Sequence, residues 1–254
     1  MKKYLPSKIV AFGMMWNSNA VSAAEIALIG PGGIRAAATE LIAAFEKTSG
    51  HKVKATFGSG GGTKQQVING ELFDVPIVQL PLEPVIKSGH VVAASETPLA
   101  YVAVGIAVRS GAPKPDISNA DAVKRLLLGA KAIAYPNAAT GAAAGVSFNE
   151  TLQKLGIAEA MKAKIKIAQD GRGAMELLAK GEVDFGLTFI SEIITEPGVE
   201  VVGALPRDIS TPTFLIGYLS AHTKEPDAAK ALLRFLSSSE AAIVYRQRGM
   251  EPGR

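Results

Sequence analysis

The sequence predicts an α/β protein with two lobes, each a mostly parallel sheet flanked by helices, and two crossover strands between them. Three observations support this fold class. The first third of the chain alternates strand-like and helix-like segments in βαβαβ order, and a second α/β series begins after a turn at residues 111–115. Long apolar strands at 101–108 and 214–219 stand where the chain would pass from one series to the other.

These crossings set the expected domain boundaries. A chain that crosses twice between two sheets returns to the lobe in which it began. We therefore expect lobe 1 to comprise residues 24–104 and 213–254, and lobe 2 to comprise residues 105–212.

The first lobe begins with a short apolar run at 26–29, which Gly and Pro residues end at 30–33, as expected of a buried strand and a turn. Residues 34–48 carry apolar side chains at helical spacing, and Gly50 suits the position after the helix. The other predicted elements of this lobe are strands at 52–57 and 74–78 and helices at 64–69, 82–88, 225–236 and 241–247. Ligands are expected at the carboxyl ends of such parallel strands.

The second lobe shows the same alternation without any internal sequence repeat. Its predicted strands lie at 132–135, 165–168, 184–189 and 200–202, and its predicted helices at 121–128, 146–155 and 173–180.

The charge balance disfavours a nucleic-acid-binding protein. The formal net charge is +4, but three of the 27 basic residues are Lys2, Lys3 and Lys8. The chain from residue 24 onward has 24 basic and 23 acidic residues, a net charge of +1. Because no long basic run remains, the electrostatic signature of a nucleic-acid partner is missing.

The N-terminus has the pattern of a secretory signal peptide over residues 1–23. A basic start is followed by an apolar stretch at 9–16, a polar spacer at 17–19 and small residues before Ala24, where a signal peptidase could cut. The apolar stretch is too short to span a bilayer. The sequence therefore predicts an exported protein, free in the periplasm of a host with two membranes.

The chain contains no cysteine. This excludes disulfides, thiol catalysis, cysteine-bound zinc and a lipoprotein anchor. No cofactor and no metal are expected.

Three glycine-containing loops, at 30–33, 58–63 and 137–145, each follow a predicted strand and open a helix. Unpaired backbone N–H groups at the positive end of a helix form a natural anion site. The alternative is that the glycines only make tight turns. None of the loops matches the dinucleotide fingerprint or the P-loop.

Catalytic constellations are missing from the sequence, so no catalytic residue is predicted. His51, His90 and His222 are scattered, and Ser59 and Ser147 lack the pair of flanking glycines that a nucleophile elbow requires. Glu192 is the acid best placed to face a cleft, although an acid favoured by a helix N-terminus is the preferred interpretation. Arg172 could bind a carboxylate or form a surface salt bridge, and both interpretations stay open.

Three segments resemble the molybdate-binding-type periplasmic proteins of ABC transporters. They are the stretch from Phe57 through Asp74, the stretch 170–189 with Ala-Lys-Gly-Glu-Val-Asp-Phe-Gly inside it, and the C-terminal region 225–249. Together the segments cover nearly the whole chain after the signal, in order. The resemblance implies the type II periplasmic-binding fold, with an oxyanion held between helix N-termini without a metal.

The resemblance also implies site residues. Ser59 matches a hydroxyl ligand, and Gly171 matches a backbone donor. Phe189 falls where these proteins commonly have a tyrosine, and Gly32-Gly33 falls where they carry a serine after two alanines. The full set of predicted ligand-binding residues is Pro31, Gly32, Gly33, Ser59, Gly60, Gly61, Thr140, Gly141, Ala144, Gly145, Gly171, Arg172, Phe189 and Ser191.

The departures from the molybdate pattern guide the functional hypothesis. Two hydroxyl donors are missing, and a desolvated dianion needs its hydrogen bonds satisfied. We therefore expect a monomeric solute-binding protein that captures a small organic anion, a carboxylate by this reasoning, and delivers it to an ABC permease. The alternatives are a molybdate- or tungstate-binding protein, an exported enzyme and a sensor partner that presents a ligand to a membrane receptor.

Overall fold

The computed structural model describes residues 23–253. The predicted signal peptide thus lies outside the described residues, apart from Ala23. The strands are β1 (Glu25–Pro31), β2 (Lys52–Gly58), β3 (Val75–Gln79), β4 (Thr97–Val102), β5 (Val104–Arg109), β6 (Ile133–Pro136), β7 (Ile165–Ala168), β8 (Phe185–Phe189), β9 (Val199–Ala204), β10 (Thr213–Gly217) and β11 (Glu251–Pro252). The helices are α1 (Arg35–Ser49), α2 (Gly60–Ile68), α3 (Glu83–Lys87), α4 (Ala120–Gly129), α5 (Ala143–Lys154), α6 (Ala158–Met161), α7 (Gly171–Ala179), α8 (Ile190–Ile193), α9 (Pro226–Leu236) and α10 (Ser239–Gln247).

Two sheets form the two lobes, and the predicted fold class is confirmed. The six-stranded sheet has the order β11-β4-β10-β3-β1-β2, and the five-stranded sheet has the order β7-β6-β8-β5-β9. In the first sheet β1 runs parallel to β2 and β3, while β10 is antiparallel to β3 and β4. In the second sheet β6 runs parallel to β7 and β8, while β5 is antiparallel to β8 and β9.

The long strand predicted at 101–108 is divided at Ala103. Val102 pairs with Thr213 in the first sheet, and Val104 pairs with Phe189 in the second. Apolar content alone could not reveal this break, because residues on both sides are buried. The chain returns to the first sheet through residues 205–212, anchored by the Leu205 N–H, which donates to the Val104 carbonyl oxygen at 2.9 Å.

The core explains why the first helix forms where the apolar spacing predicts it. Ala37, Leu41 and Phe45 of α1 are buried at helical spacing. Gly50 follows the helix with a φ of 76°, the left-handed conformation that glycine adopts without a Cβ penalty. The elements α6 and β11 were not predicted, because they are too short for a periodicity to show, and α8 was predicted only as the helix N-terminus preferred for Glu192.

Within residues 23–253, none of the helices combines the length and the apolar character that crossing a bilayer requires.

Candidate functional site

A cleft of about 920 Å³ separates the carboxyl ends of the parallel strands of the two sheets. A volume of this size suits a small organic molecule. Both lobes contribute its walls, and each wall is made of the loops that leave a strand and enter a helix. The lining side chains that carry charge or hydrogen-bonding groups are Arg35, Thr39, Ser59, Gln79, Thr140, Gln169, Asp170, Arg172, Ser191, Glu192, Thr195, Glu196 and Arg248.

Helix N-termini from both lobes end at this cleft. In the first lobe, Ser59 caps α2, and its Oγ accepts a hydrogen bond of 3.1 Å from the Gly62 N–H. In the second lobe, Asp170 caps α7, and its Oδ1 accepts a hydrogen bond of 2.9 Å from the Gly173 N–H. Such caps fix where each helix begins, so they also fix where the positive ends of the helices lie.

The glycine loops of the two lobes touch each other at one side of the cleft. The Gly61 N–H donates a hydrogen bond of 2.9 Å to the Gly141 carbonyl oxygen, and the Ser59 hydroxyl donates one of 3.2 Å to the Thr140 carbonyl oxygen. A Cβ on Gly61 would lie 3.0 Å from the Cα of Gly141. Two side-chain-free residues are therefore needed for this approach.

A second contact between the lobes involves Gly33 and the segment where β8 enters α8. The Ser191 hydroxyl donates a hydrogen bond of 2.7 Å to the Gly33 carbonyl oxygen. The Phe189 ring packs so closely that a Cβ on Gly33 would lie 2.9 Å from its Cδ2. Phe189 therefore fills the space that a side chain at position 33 would occupy.

The structure brings most of the predicted site residues to one place. The predicted residues that line the cleft are Pro31, Gly32, Gly33, Ser59, Gly60, Thr140, Ala144, Gly171, Arg172, Phe189 and Ser191. The other three lie elsewhere. Gly61 and Gly141 contact each other, and Gly145 packs so tightly on the Pro136 carbonyl that a Cβ there would overlap it. Which of these residues bind a ligand stays a prediction.

The carboxyl group of Glu192 lies between the two lobes. The Thr188 hydroxyl donates to its Oε2 at 2.5 Å. A Cβ on Gly32 of the first lobe would lie 3.1 Å from Oε1, and a Cβ on Gly171 of the second lobe would overlap Oε2. The carboxyl thus sits beside the first residues of two helical segments, one from each lobe.

Burial raises the pKa of Glu192 above its ordinary value, and the nearby Asp170 carboxylate adds to the increase. The hydrogen bonds from the Thr188 hydroxyl and the Phe189 backbone, and the charge of Arg35, act in the opposite direction without cancelling it. Burial also raises the pKa of Glu196, against the attraction of Arg172. The acidic part of the cleft therefore takes up protons more readily than free carboxylates do.

Three arginines supply positive charge to the cleft. Arg35 lies 5.3 Å from the ring centroid of Phe57 and donates to the Phe57 carbonyl oxygen at 3.3 Å. Arg248 donates to Glu40 Oε2 at 2.6 Å. The Arg172 side chain is 72% exposed and forms a 3.2 Å salt bridge with Glu176. The structure therefore contains the surface salt bridge, which was one of the two interpretations of Arg172.

Gln79 is the last residue of β3, lines the cleft and is 5% exposed. Its Oε1 packs against Gly60, where a Cβ would overlap it. Within the described part of the chain, its Nε2 is a buried side-chain nitrogen that has no hydrogen-bond partner. An unsatisfied buried amide is uncommon in folded proteins and is destabilising.

The ligand-binding residues predicted from the sequence did not include Gln79, Arg35 or Arg248, and the role preferred for Glu192 was structural. A usable signal existed for Gln79, because a polar residue ends an otherwise buried apolar strand. Arg35 begins α1 directly after a glycine loop and could have been found in the same way. Arg248 is brought to the cleft from the C-terminal end of the chain, and no local pattern marks it.

The histidines lie away from the cleft. His51 Nδ1 accepts from the Ala24 N–H at 3.1 Å, and His90 and His222 contact each other with 2.7 Å between ring nitrogens. Across residues 23–253 there is no group of three or more His, Cys, Asp or Glu side chains arranged to hold a metal ion.

Comparison with known proteins places this geometry among solute-binding proteins. Residues 26–251 match the model of a family described as bacterial extracellular solute-binding protein. The chain is 33% identical over 235 residues to an aconitate isomerase of Pseudomonas sp, covering 89% of this chain and 87% of that protein. It is 28% identical over 246 residues to the molybdate-binding protein ModA of Azotobacter vinelandii, covering 95% of each.

A solved structure shows the same fold. The periplasmic molybdate-binding protein of Azotobacter vinelandii superposes with a TM-score of 0.74 at 20% identity, covering 90% of this chain and 100% of that chain.

Proposed function

Because this chain belongs to the bacterial extracellular solute-binding proteins, we propose that it captures a small organic carboxylate between its two lobes and delivers it to an ABC permease. The observation that carries the proposal is the convergence of helix N-termini from both lobes on one cleft. Backbone N–H groups and helix dipoles favour a negative charge there.

The size and lining of the cleft favour an organic anion over a tetrahedral oxyanion. Its volume is about 920 Å³, which suits a molecule with several functional groups. Gly33 and Phe189 offer no side-chain hydroxyl, and they pack against each other. Arg35, Arg172 and Arg248 are spread around the cleft, as suits a ligand with more than one carboxylate.

One relative supports the same ligand class. The 33% identical protein is named for an action on aconitate, which is a tricarboxylate. Family membership and the relatives' descriptions also support an extracytoplasmic location. We propose that the mature protein works in the periplasm after cleavage of the N-terminal signal peptide.

A thermal-shift screen tests the ligand class. The protein from residue 24 onward would be heated with trans-aconitate, cis-aconitate, tricarballylate, citrate, fumarate, molybdate, tungstate, sulfate and phosphate. Binding to the native state stabilises it by about 2.7 kcal/mol at a hundredfold excess of ligand over Kd. We expect the unfolding midpoint to rise with polycarboxylates. A rise with molybdate or tungstate alone would replace this proposal by the oxyanion alternative.

A second function, isomerisation of an unsaturated polycarboxylate, is favoured by the relative named aconitate isomerase and by Glu192. Moving a double bond along such a molecule requires a proton to leave one carbon and another to return elsewhere, with no net redox change. A carboxyl with a raised pKa inside the cleft is suited to proton transfer. Proton NMR of cis- or trans-aconitate incubated with the protein tests this function. Binding without interconversion would leave capture as the only role.

A further inference from the structure

We infer that Glu192 shares one proton with the bound anion, so that the cleft favours anions basic enough to share it over weakly basic ones. Carboxylates belong to the first group, and sulfate, the conjugate base of a strong acid, belongs to the second. The inference rests on the proposed function and assigns Glu192 as its specificity-determining residue.

The Glu192 carboxyl lies beside a glycine from each lobe. The Glu192 Oε1 lies 3.1 Å from the position that a Cβ on Gly32 would occupy. The Glu192 Oε2 lies so close to Gly171 that a Cβ on that glycine would overlap it. These glycines open helical segments in different lobes. An anion that uses the backbone N–H groups at both helix ends must therefore lie next to the Glu192 carboxyl.

Charged side chains from several elements surround the Glu192 carboxyl. Asp170 on α7 and Glu196 beyond α8 add negative charge, and Arg35 on α1 adds positive charge. Arg172 on α7 forms salt bridges with Glu176 at 3.2 Å and with Glu196 at 3.9 Å. In the first lobe, the Arg248 guanidinium forms a salt bridge with the Glu40 carboxylate. Of these arginines, Arg35 is the one whose charge acts directly on Glu192.

Repulsion between like charges in the cleft favours the uptake of a proton. Two negative carboxylates in contact inside a partly desolvated cleft disfavour each other, and one of them gains a proton. The shared proton forms a charge-assisted O–H···O bond between Glu192 and the ligand, which is stronger than a neutral hydrogen bond. Sulfate is a much weaker base than a carboxylate, so it attracts the proton less and forms a weaker hydrogen bond with this carboxyl.

Isothermal titration calorimetry with trans-aconitate tests the inference in the wild-type chain from residue 24 onward. Titrations in buffers with different ionisation enthalpies give the number of protons taken up. We expect the uptake to approach one proton per ligand once the pH exceeds the pKa of Glu192 in the ligand-free protein, where affinity falls about tenfold per pH unit. This readout requires no variant.

Glu192→Gln is the diagnostic variant, because the amide keeps the shape and supplies a permanent donor. We expect its affinity to be independent of pH apart from titration of the ligand itself, and we expect its preference for trans-aconitate over sulfate to weaken. Glu182→Gln, which changes an exposed glutamate paired with Lys166, is the matched control and should behave as wild type.

The outcomes separate the two proposals. Wild-type binding of trans-aconitate with no proton uptake and no dependence on pH overturns the role of Glu192 and leaves capture of carboxylates intact. Equal proton uptake in wild type and Glu192→Gln overturns it as well, since another group then carries the proton. If no carboxylate probe binds at any pH, the proposed function fails and this inference fails with it.

Discussion

Ser191 and Gly33 lie 158 residues apart, and the Ser191 hydroxyl donates a 2.7 Å hydrogen bond to the Gly33 carbonyl oxygen. Ser191 is 3% exposed, so water does not replace this bond easily. The bond joins the start of α8 in the second lobe to the loop before α1 in the first. Because Phe189 packs on the same glycine, residues 189–191 hold the two lobes together at one side of the cleft.

Ser191→Ala should lower the free energy of unfolding by about 1 kcal/mol, because the Gly33 carbonyl loses its buried donor. Urea denaturation followed by circular dichroism measures the change. Ser239→Ala is the control, since that exposed hydroxyl donates only to the neighbouring Glu240 carboxylate. Equal stabilities of the two variants would show that the bond between the lobes contributes nothing.

Gly33→Ala should destabilise the protein by about 1–3 kcal/mol, since the added methyl would lie 2.9 Å from the Phe189 ring. Phe189→Leu in the same chain should relieve part of the overlap. The double variant should therefore lose less than the sum of the two single variants. Additive losses in a double-mutant cycle of denaturation midpoints would contradict the contact.

Gly61→Ala should push apart the loops that meet at Gly141, because its Cβ would lie 3.0 Å from the Gly141 Cα. We expect ligand affinity to fall about tenfold, equivalent to about 1.4 kcal/mol. Calorimetry with the carboxylate selected in the thermal-shift screen measures this. Gly129→Ala is the matched control, since a Cβ there meets nothing within 4 Å. Unchanged affinity in both variants would separate the loop contact from ligand binding.

Gln79→Leu should leave the ligand-free protein as stable as wild type or raise its free energy of unfolding by about 1 kcal/mol, because the Nε2 has no partner to lose. Thermal and urea unfolding measure the difference. Gln66→Leu, which removes the bond from an exposed amide to Glu71, controls for the substitution type. A clear loss of stability in Gln79→Leu would mean that the amide is satisfied in the native protein.

Glu192→Gln should stabilise the ligand-free protein at neutral pH. The pKa of Glu192 is raised on folding, so the favourable contribution of its protonated form is complete below the unfolded pKa and is lost as pH rises through the folded pKa. The amide does not ionise and keeps its contribution. Unfolding midpoints should therefore converge at acid pH and separate in favour of the variant toward neutral pH. A constant difference across the pH range would contradict the raised pKa.

Local sequence patterns were sufficient to predict the order and type of the longer elements. Apolar spacing in α1 and alternation or apolar runs in the strands are local patterns, and they reflect which face of each element is buried. Glycines such as Gly50 mark helix ends because only the local φ matters there. The glycine loops were found for the same reason, since each is a short stretch between a strand and a helix.

The roles of the side chains in the cleft depend on contacts that long-range folding creates. The division of the strand at Ala103 depends on two different pairing partners, which local hydropathy does not record. The roles of Glu192 and Gln79 depend on glycines that approach them from other parts of the chain. Burial and like charge set the protonation of Glu192, and both come from residues distant in sequence or from the packing of whole lobes. A local pattern can place an acid after a strand, but the neighbours that the fold brings to it determine its chemistry.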